Sequence, residues 1–300
     1  MPAQILVRYG ELALKSAPVR REFEGMLRRN ILDQFVRAGL TGRLRADHGH
    51  LYVDVDDGPA AIRVLRRVFG ITSVSLVHEV PSDAAVIAAR LVELADARLT
   101  PGASFAVRAR RTGGAHPFTS QQLAGDLGGA VLERFGDRGL KVDLEHPDVE
   151  LFVEVRGPRT YLSFDRVAGP GGLPLGVAGR LVALVDGPRG ALGAYLMMKR
   201  GCRVGLIVLP AAEALARDVL GRFDPSVRIS AAPADPPEWA RALGRMSEEL
   251  HAEGVVLPIG VDEYPEARSA WGERVLFSPT VGFTDEEVSD RWKNAVALTE

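Results

Sequence analysis

Leu181-Val182-Ala183-Leu184-Val185-Asp186-Gly187-Pro188-Arg189-Gly190 is an apolar run that breaks at a turn, and the stretch behind it, Ala191 to Arg200, is helix-like. Strand, turn and helix in that order is the repeating unit of parallel, doubly wound sheets. The same alternation continues downstream. Strand candidates at 181–185, 203–209, 227–230, 254–259 and 274–277 are separated by helices near 191–200, 212–221 and 236–252, so the spacing predicts a parallel-sheet domain over 177–300. The turn, Val185 to Gly190, stands where such a domain grips phosphate. That grip uses consecutive backbone N–H groups at a helix N-terminus. Here Pro188 removes one donor, Asp186 would repel an anion, and Arg189 alone would attract one.

Upstream of this domain, residues 169–176 are so rich in Gly and Pro that neither helix nor central strand can run through them. They read as an interdomain linker, with a ligand-gripping loop as the alternative. Residues 1–80 alternate in the order βαββαβ: a strand at 5–9, a helix at 20–38, strands at 42–46 and 50–55, a helix at 59–68 and a strand at 73–77. That order predicts a ferredoxin-like domain with two helices on one face of a four-stranded antiparallel sheet. A second mixed α and β unit occupies 81–168. Ser82 is its expected first helix cap, the strand 104–109 carries Arg108 and Arg110, and a helix runs over 120–135. Phe118, just before that helix, reads as core or as a base-stacking platform. The fold class is therefore α/β and α+β, in several domains.

The composition, 46% hydrophobic and 25% charged with a formal charge of −2, is that of a globular protein. No apolar run has membrane-spanning length and the N-terminus lacks signal-peptide order, so no membrane association and a cytoplasmic location are expected. One cysteine, Cys202, excludes an internal disulfide, and its place before an apolar strand suits a buried, inert thiol. His48 and His50, with Asp47, Asp54 and Asp56 nearby, read as a polar strand face, and no metal is expected. Charge is uneven. Residues 1–80 hold about 12 Lys/Arg against about 9 Asp/Glu, and residues 169–300 about 14 against about 18. Arginines in pairs (Arg20 and Arg21, Arg28 and Arg29, Arg66 and Arg67) or clusters (Arg108, Arg110, Arg111) suit phosphate.

Several motifs in order resemble one family. Arg8-Tyr9-Gly10-Glu11-Leu12-Ala13-Leu14-Lys15-Ser16, with Phe23-Glu24 and Asn30-Ile31, is similar to the opening of the tRNA 4-thiouridine synthetases, or tRNA sulfurtransferases. Arg110-Arg111, Phe118-Thr119-Ser120, Asp143-Leu144 and Pro147-Asp148 resemble their THUMP domain. Gly171 to Gly176 and Met197 to Cys202 resemble the flanks of their PP-loop ATP-pyrophosphatase site, and Pro279 to Val288 is again family-like. The resemblance implies a ferredoxin-like domain (1–80), an RNA-binding THUMP domain (81–168) and a Rossmann-like PP-loop domain (177–300).

It also implies tRNA as partner, held at its acceptor region, and ATP with Mg²⁺ as cofactors of fully active members. Arg8, Lys15, Arg20 and Arg21 in the first domain, with Arg108, Arg110, Arg111 and Lys141 in the second, are the expected phosphate contacts. Ion pairing of Arg8 and Lys15 with Glu11 and Glu24 is the alternative. The family's Ser-Gly-Gly-x-Asp-Ser loop falls on Val185 to Gly190, where Gly187 alone survives. Its later Thr-Gly-Glu-Ser-like turn reads Pro258-Ile259-Gly260-Val261, and no late cysteine is present. The expectation is a tRNA-binding relative with a degenerate loop at Val185, Asp186, Gly187, Pro188, Arg189 and Gly190, no catalytic residues and no cofactor. The alternative is an active sulfurtransferase or nucleotide-activating enzyme of tRNA thiolation or thiamine biosynthesis, with a remodelled site using ATP and Mg²⁺. A separate catalytic partner and a homodimer both stay open.

Overall fold

The computed structural model describes residues 3–10, 16–47, 50–114, 116–271 and 274–300. In chain order the elements are β1 (Ala3–Tyr9), α1 (Ala17–Arg37), β2 (Gly42–Asp47), β3 (His50–Val55), α2 (Gly58–Leu65), β4 (Ile71–Pro81), α3 (Ala84–Ala95), β5 (Ser104–Thr112), α4 (Ser120–Arg134), β6 (Lys141–Val142), β7 (Val149–Arg156), β8 (Arg159–Ser163) and β9 (Val167–Ala168). They continue with β10 (Arg180–Val185), α5 (Pro188–Lys199), β11 (Arg203–Val208), a π-wound turn (Leu215–Leu220), β12 (Ile229–Ala231), α6 (Trp239–Leu250), β13 (Gly254–Val256), α7 (Tyr264–Trp271), β14 (Val275–Phe277) and α8 (Asp285–Ala297). The chain forms two units. One comprises Met1–Leu6 and Ser75–Val167, the other Val7–Val74 and Ala168–Glu300, so β1 and β4 contribute residues to both.

In the first unit the strands run in the order β4-β8-β7-β5-β6. β5 is parallel to β7 and β6, while β8 is antiparallel to β4 and β7. Helices α3 and α4 close its core through Ile87, Leu91, Leu123, Leu127 and Val131, all at most 2% exposed. Phe118 belongs to this core. Helix α3 starts one residue later than expected, because Asp83 rather than Ser82 caps it: Asp83 Oδ1 accepts from the N–H groups of Ala85 and Val86, both at 3.0 Å. An aspartate oxygen fills the orphan donors of the first turn as well as a serine would.

The second unit holds the ferredoxin-like strand order β2-β3-β1-β4 and a five-stranded sheet ordered β12-β11-β10-β13-β14, every pair of it parallel. Alternation along β10 divides its side chains between two cores. Leu181, Ala183 and Val185 meet α5 and α8, and Val182 and Leu184 meet α6. Apolar residues at every position are what a strand covered on both faces requires. Helix α5 begins at Pro188, three residues before its expected start, because proline fits the first helical position, where its missing N–H had no partner to lose. The helix expected near 212–221 is present, wound as a π-helix over Leu215–Leu220 and continuing as an α-helical turn at Gly221–Phe223.

Residues 169–176, expected as a linker, are bonded along their length. Gly70 N–H donates to the Gly171 carbonyl at 2.8 Å, Leu173 N–H to that of Lys199 at 3.0 Å and Gly176 N–H to that of Gly201 at 2.7 Å. Within this unit α1 also meets the later chain, through Asn30 Nδ2 to the Leu175 carbonyl at 3.0 Å and Gln34 Nε2 to those of Arg222 and Phe223 at 3.0 and 3.2 Å. The Phe69 ring lies 5.5 Å from Tyr195 and 5.1 Å from Phe223. Among the described residues no helix is long and apolar enough to cross a membrane.

Candidate nucleic-acid interface

Strand β5 is paired along Phe105 to Thr112 by β7, whereas the two-residue β6 reaches only Ser104 and Phe105 on its other side. The arginine-bearing half of β5 therefore runs along an edge without a strand partner among the described residues. There, Arg108 Nε donates to Glu150 Oε1 at 2.8 Å and Arg108 Nη2 to the Leu144 carbonyl at 2.8 Å. Arg110 is exposed and has no hydrogen-bond or ion-pair partner among the described residues.

A cavity of about 760 Å³ opens here, lined by Arg108, Arg110, Glu150, Phe152 and Arg166 together with Ser120 and Gln121 of the first turn of α4. That helix is closed by a reciprocal cap: the Gln122 N–H donates to Thr119 Oγ1 at 3.1 Å and the Thr119 N–H to Gln122 Oε1 at 2.9 Å. Arg166 lies with its guanidinium carbon 5.1 Å from the Phe152 ring centre and its Nη2 3.6 Å from Glu154 Oε1, a carboxylate that Arg156 also pairs. Both carboxylates of the cavity thus have arginine partners. Arg110 is left as surplus positive charge beside a helix N-terminus, an arrangement suited to a phosphate.

Arg111 is exposed, with Nη1 donating to the His116 carbonyl at 3.3 Å, and Lys141 is exposed on β6. Phe118, 8% exposed, packs against the His116 ring at 5.5 Å and serves the core. The other expected contacts lie in the second unit. Arg8 is half-buried on β1, Arg20 stands 3.9 Å from Glu24, and Arg21 is exposed on α1. Glu24 also accepts from the Tyr9 hydroxyl at 2.6 Å, and burial followed by that bond pushes the Tyr9 phenol well above its ordinary range. Lys15 and Glu11 fall outside the described residues, as does His48. No group of three or more His, Cys, Asp or Glu suited to a metal occurs among those described.

Arg166, Glu150 and Glu154 escaped the sequence reading. The available signal was the alternation Glu150, Phe152, Glu154 along one strand, but what aligns it with β5 is the parallel register Arg108 to Phe152 and Arg110 to Glu154. Sequence spacing does not carry such a register.

In the parallel sheet the strand order reverses at β10, between β11 and β13, so the crevice at its carboxyl end is where ligands bind in such sheets. Val185, the last residue of β10, is fully buried. Asp186 follows and is exposed, with neighbouring atoms partly desolvating its carboxyl. Desolvation raises its carboxyl above the ordinary value, Glu263 raises it further, and backbone N–H groups, those of Gly187 and Gly190 among them, pull the other way. Its carboxylate stands beside the α5 N-terminus, next to Gly190. Gly190 has to be glycine here: a Cβ would stand 2.6 Å from the Leu184 carbonyl oxygen and 2.9 Å from Asp186 Oδ1.

Arg189 points to the next loop. It donates to the carbonyls of Thr280 at 3.0 Å and Phe283 at 2.9 Å and to Asp285 Oδ1 at 2.8 Å. Cys202 is buried with its Sγ 3.1 Å from the Ala178 carbonyl, and burial raises its thiol.

Residues 4–75 match the family model described as the ThiI ferredoxin-like domain, and residues 82–165 match the THUMP domain. A probable tRNA sulfurtransferase of Methanocaldococcus jannaschii is 35% identical over 218 residues, covering 70% of this chain and 56% of that protein. The chain spans about half the length of the curated relatives it matches. Among solved structures, PH1313 from Pyrococcus horikoshii aligns with a TM-score of 0.80 at 24% identity, covering 97% of this chain and 99% of that one. A 4-thiouridine synthetase bound to RNA and ATP aligns with a TM-score of 0.77 at 21% identity, covering 100% and 86%. Both are likenesses of fold.

Proposed function

By its ThiI ferredoxin-like and THUMP domains the chain belongs to the tRNA sulfurtransferase family, and from that premise we propose that it binds the acceptor region of tRNA without itself adenylating it. The observation that carries the binding half is the groove on β5, where Arg110 stands without a partner beside the N-terminus of α4 while the neighbouring carboxylates are neutralised by Arg108, Arg156 and Arg166. Arg108, Arg110, Arg111 and Lys141 in this unit, and Arg8, Lys15, Arg20 and Arg21 in the other, take backbone phosphates. A-form RNA offers phosphates and 2′-hydroxyls more readily than base edges, so recognition is by shape and charge.

The second half rests on the turn after β10. An ATP-activating loop needs free N–H groups and a cation directed at the phosphates. Here Asp186 places a carboxyl group against the turn, Pro188 supplies no donor, and Arg189 is bonded elsewhere. The chemistry of sulfur transfer is then the work of a separate catalytic partner.

Titration of a tRNA acceptor minihelix at several salt concentrations tests the first half. Binding should fall steeply with salt, and Arg110→Ala should reduce the slope of log affinity against log salt by about one. Absent or salt-independent binding would overturn it. Calorimetry with ATP and Mg²⁺ tests the second: no saturable heat is expected, and micromolar binding would restore the reading of an active enzyme.

A further inference from the structure

Three arginines that the RNA reading leaves unused lie in the second unit, two of them bonded at the carboxyl end of α8. Arg66 and Arg67 follow α2, and Arg222 follows the π-wound turn. Arg66 Nη2 donates to the Ala297 carbonyl at 2.9 Å and Arg222 Nη1 to the Thr299 carbonyl at 2.7 Å. Cations are at home there, since the last turn of a helix presents unsatisfied carbonyls worth roughly half a negative charge.

Half a charge does not balance three guanidinium groups. No carboxylate among the described residues pairs with any of them, and the nearby buried Asp224 is committed to Arg203 at 3.1 Å and to Ser226. Arg67 has no hydrogen-bond or ion-pair partner at all among the described residues. Its Nε, like that of Arg66, is shut off from solvent without an acceptor. Burial and then the charge of Arg222 depress its basicity. A partly desolvated cation beside a like charge is costly unless an anion joins it.

We propose that Arg66, Arg67 and Arg222 form a binding site for a phosphate-class oxyanion. Arg66 and Arg222 are held by their bonds at the α8 end, and Arg67, next to Arg66 in the chain and near enough to Arg222 to feel its charge, keeps its donors for the ligand. Planar forks of donors suit a tetrahedral oxyanion better than ammonium groups do. Inorganic phosphate and a backbone phosphate of RNA share this chemistry, and only the RNA source leans on the function proposed above.

The test compares unfolding midpoints of the full chain in phosphate and in chloride at equal ionic strength. A ligand that binds only the folded state raises stability with its concentration, whereas the general stabilising exclusion of phosphate from the protein surface acts on all variants alike. The wild type should gain more from phosphate than Arg67→Gln does, with at least half of the phosphate-specific increment lost in the variant. In chloride the variant should be no less stable than the wild type, because a repulsive contact has gone. Should Arg67→Gln not fold, the exposed Arg222→Gln carries the same comparison.

Minihelix binding identifies the source. A salt slope reduced by about one in Arg67→Gln assigns the site to an RNA phosphate, and an unchanged slope with a lost increment assigns it to the free anion. Equal phosphate increments in the wild type and the folded variants, together with an unchanged slope, overturn the proposal. Failure of the minihelix to bind at all would speak against RNA recognition and leave the phosphate comparison intact.

Discussion

Asp186 shows how much one side chain decides. In the sequence it counts as a charge that would repel phosphate. In the fold its carboxylate turns toward Gly190 at the α5 N-terminus, and desolvation there raises its pKa. Because its pKa is raised in the folded state, Asp186 adds to stability below the ordinary carboxylate range, and that contribution is lost as pH rises through the raised value. Asp186→Asn keeps the shape and an acceptor oxygen and removes the partly desolvated charge. Its stability relative to wild type should therefore be more favourable at pH 7 than at pH 4, measured by denaturant unfolding. A difference that does not change with pH would show that ionised Asp186 carries no desolvation cost. Arg189 was legible as the lone cation of its loop, but its engagement with the 280–285 loop depends on a contact 91 positions away.

Elements were read where periodicity or turn chemistry is local. The strand order of the ferredoxin-like domain and the succession of strands and helices after residue 177 both follow from such signals. Boundaries moved where a cap intervened, as at Asp83 and Pro188. The Gly/Pro stretch 169–176 could be read as irregular, yet its ladder of bonds to Gly70, Lys199 and Gly201 could not, because those partners are distant in sequence. Gly172 is its most constrained point, with φ at +73° and its Cβ position overlapping the Lys199 carbonyl. Gly172→Ala should lower unfolding free energy by about 2 kcal/mol or more. A change below about 0.5 kcal/mol would mean that this segment yields without disturbing the sheet beneath it.

Across the whole molecule the family resemblance was legible from four motifs in order, while the composition of the β5 groove, which needs cross-strand register, was not. The proposed split between an RNA-binding role and a retained but non-activating parallel sheet makes a further expectation. Arg189→Ala removes three bonds that tie α5 to the 280–285 loop, and should destabilise the protein by about 2 kcal/mol. It should leave minihelix affinity unchanged. A matching loss of RNA affinity in the folded variant would instead place that loop in RNA binding. The passage of β1 and β4 through both units has a consequence for synthesis. Residues 75–167 emerge as one stretch, whereas the helices of the ferredoxin-like domain meet partners that are made much later: the Gln34 bond to Phe223 spans 189 positions. As the chain leaves the ribosome, the segment inserted in the middle can organise while the apolar surface around Phe69 still waits for Tyr195 and Phe223. The interval between those two events is when the nascent protein has most need of a chaperone.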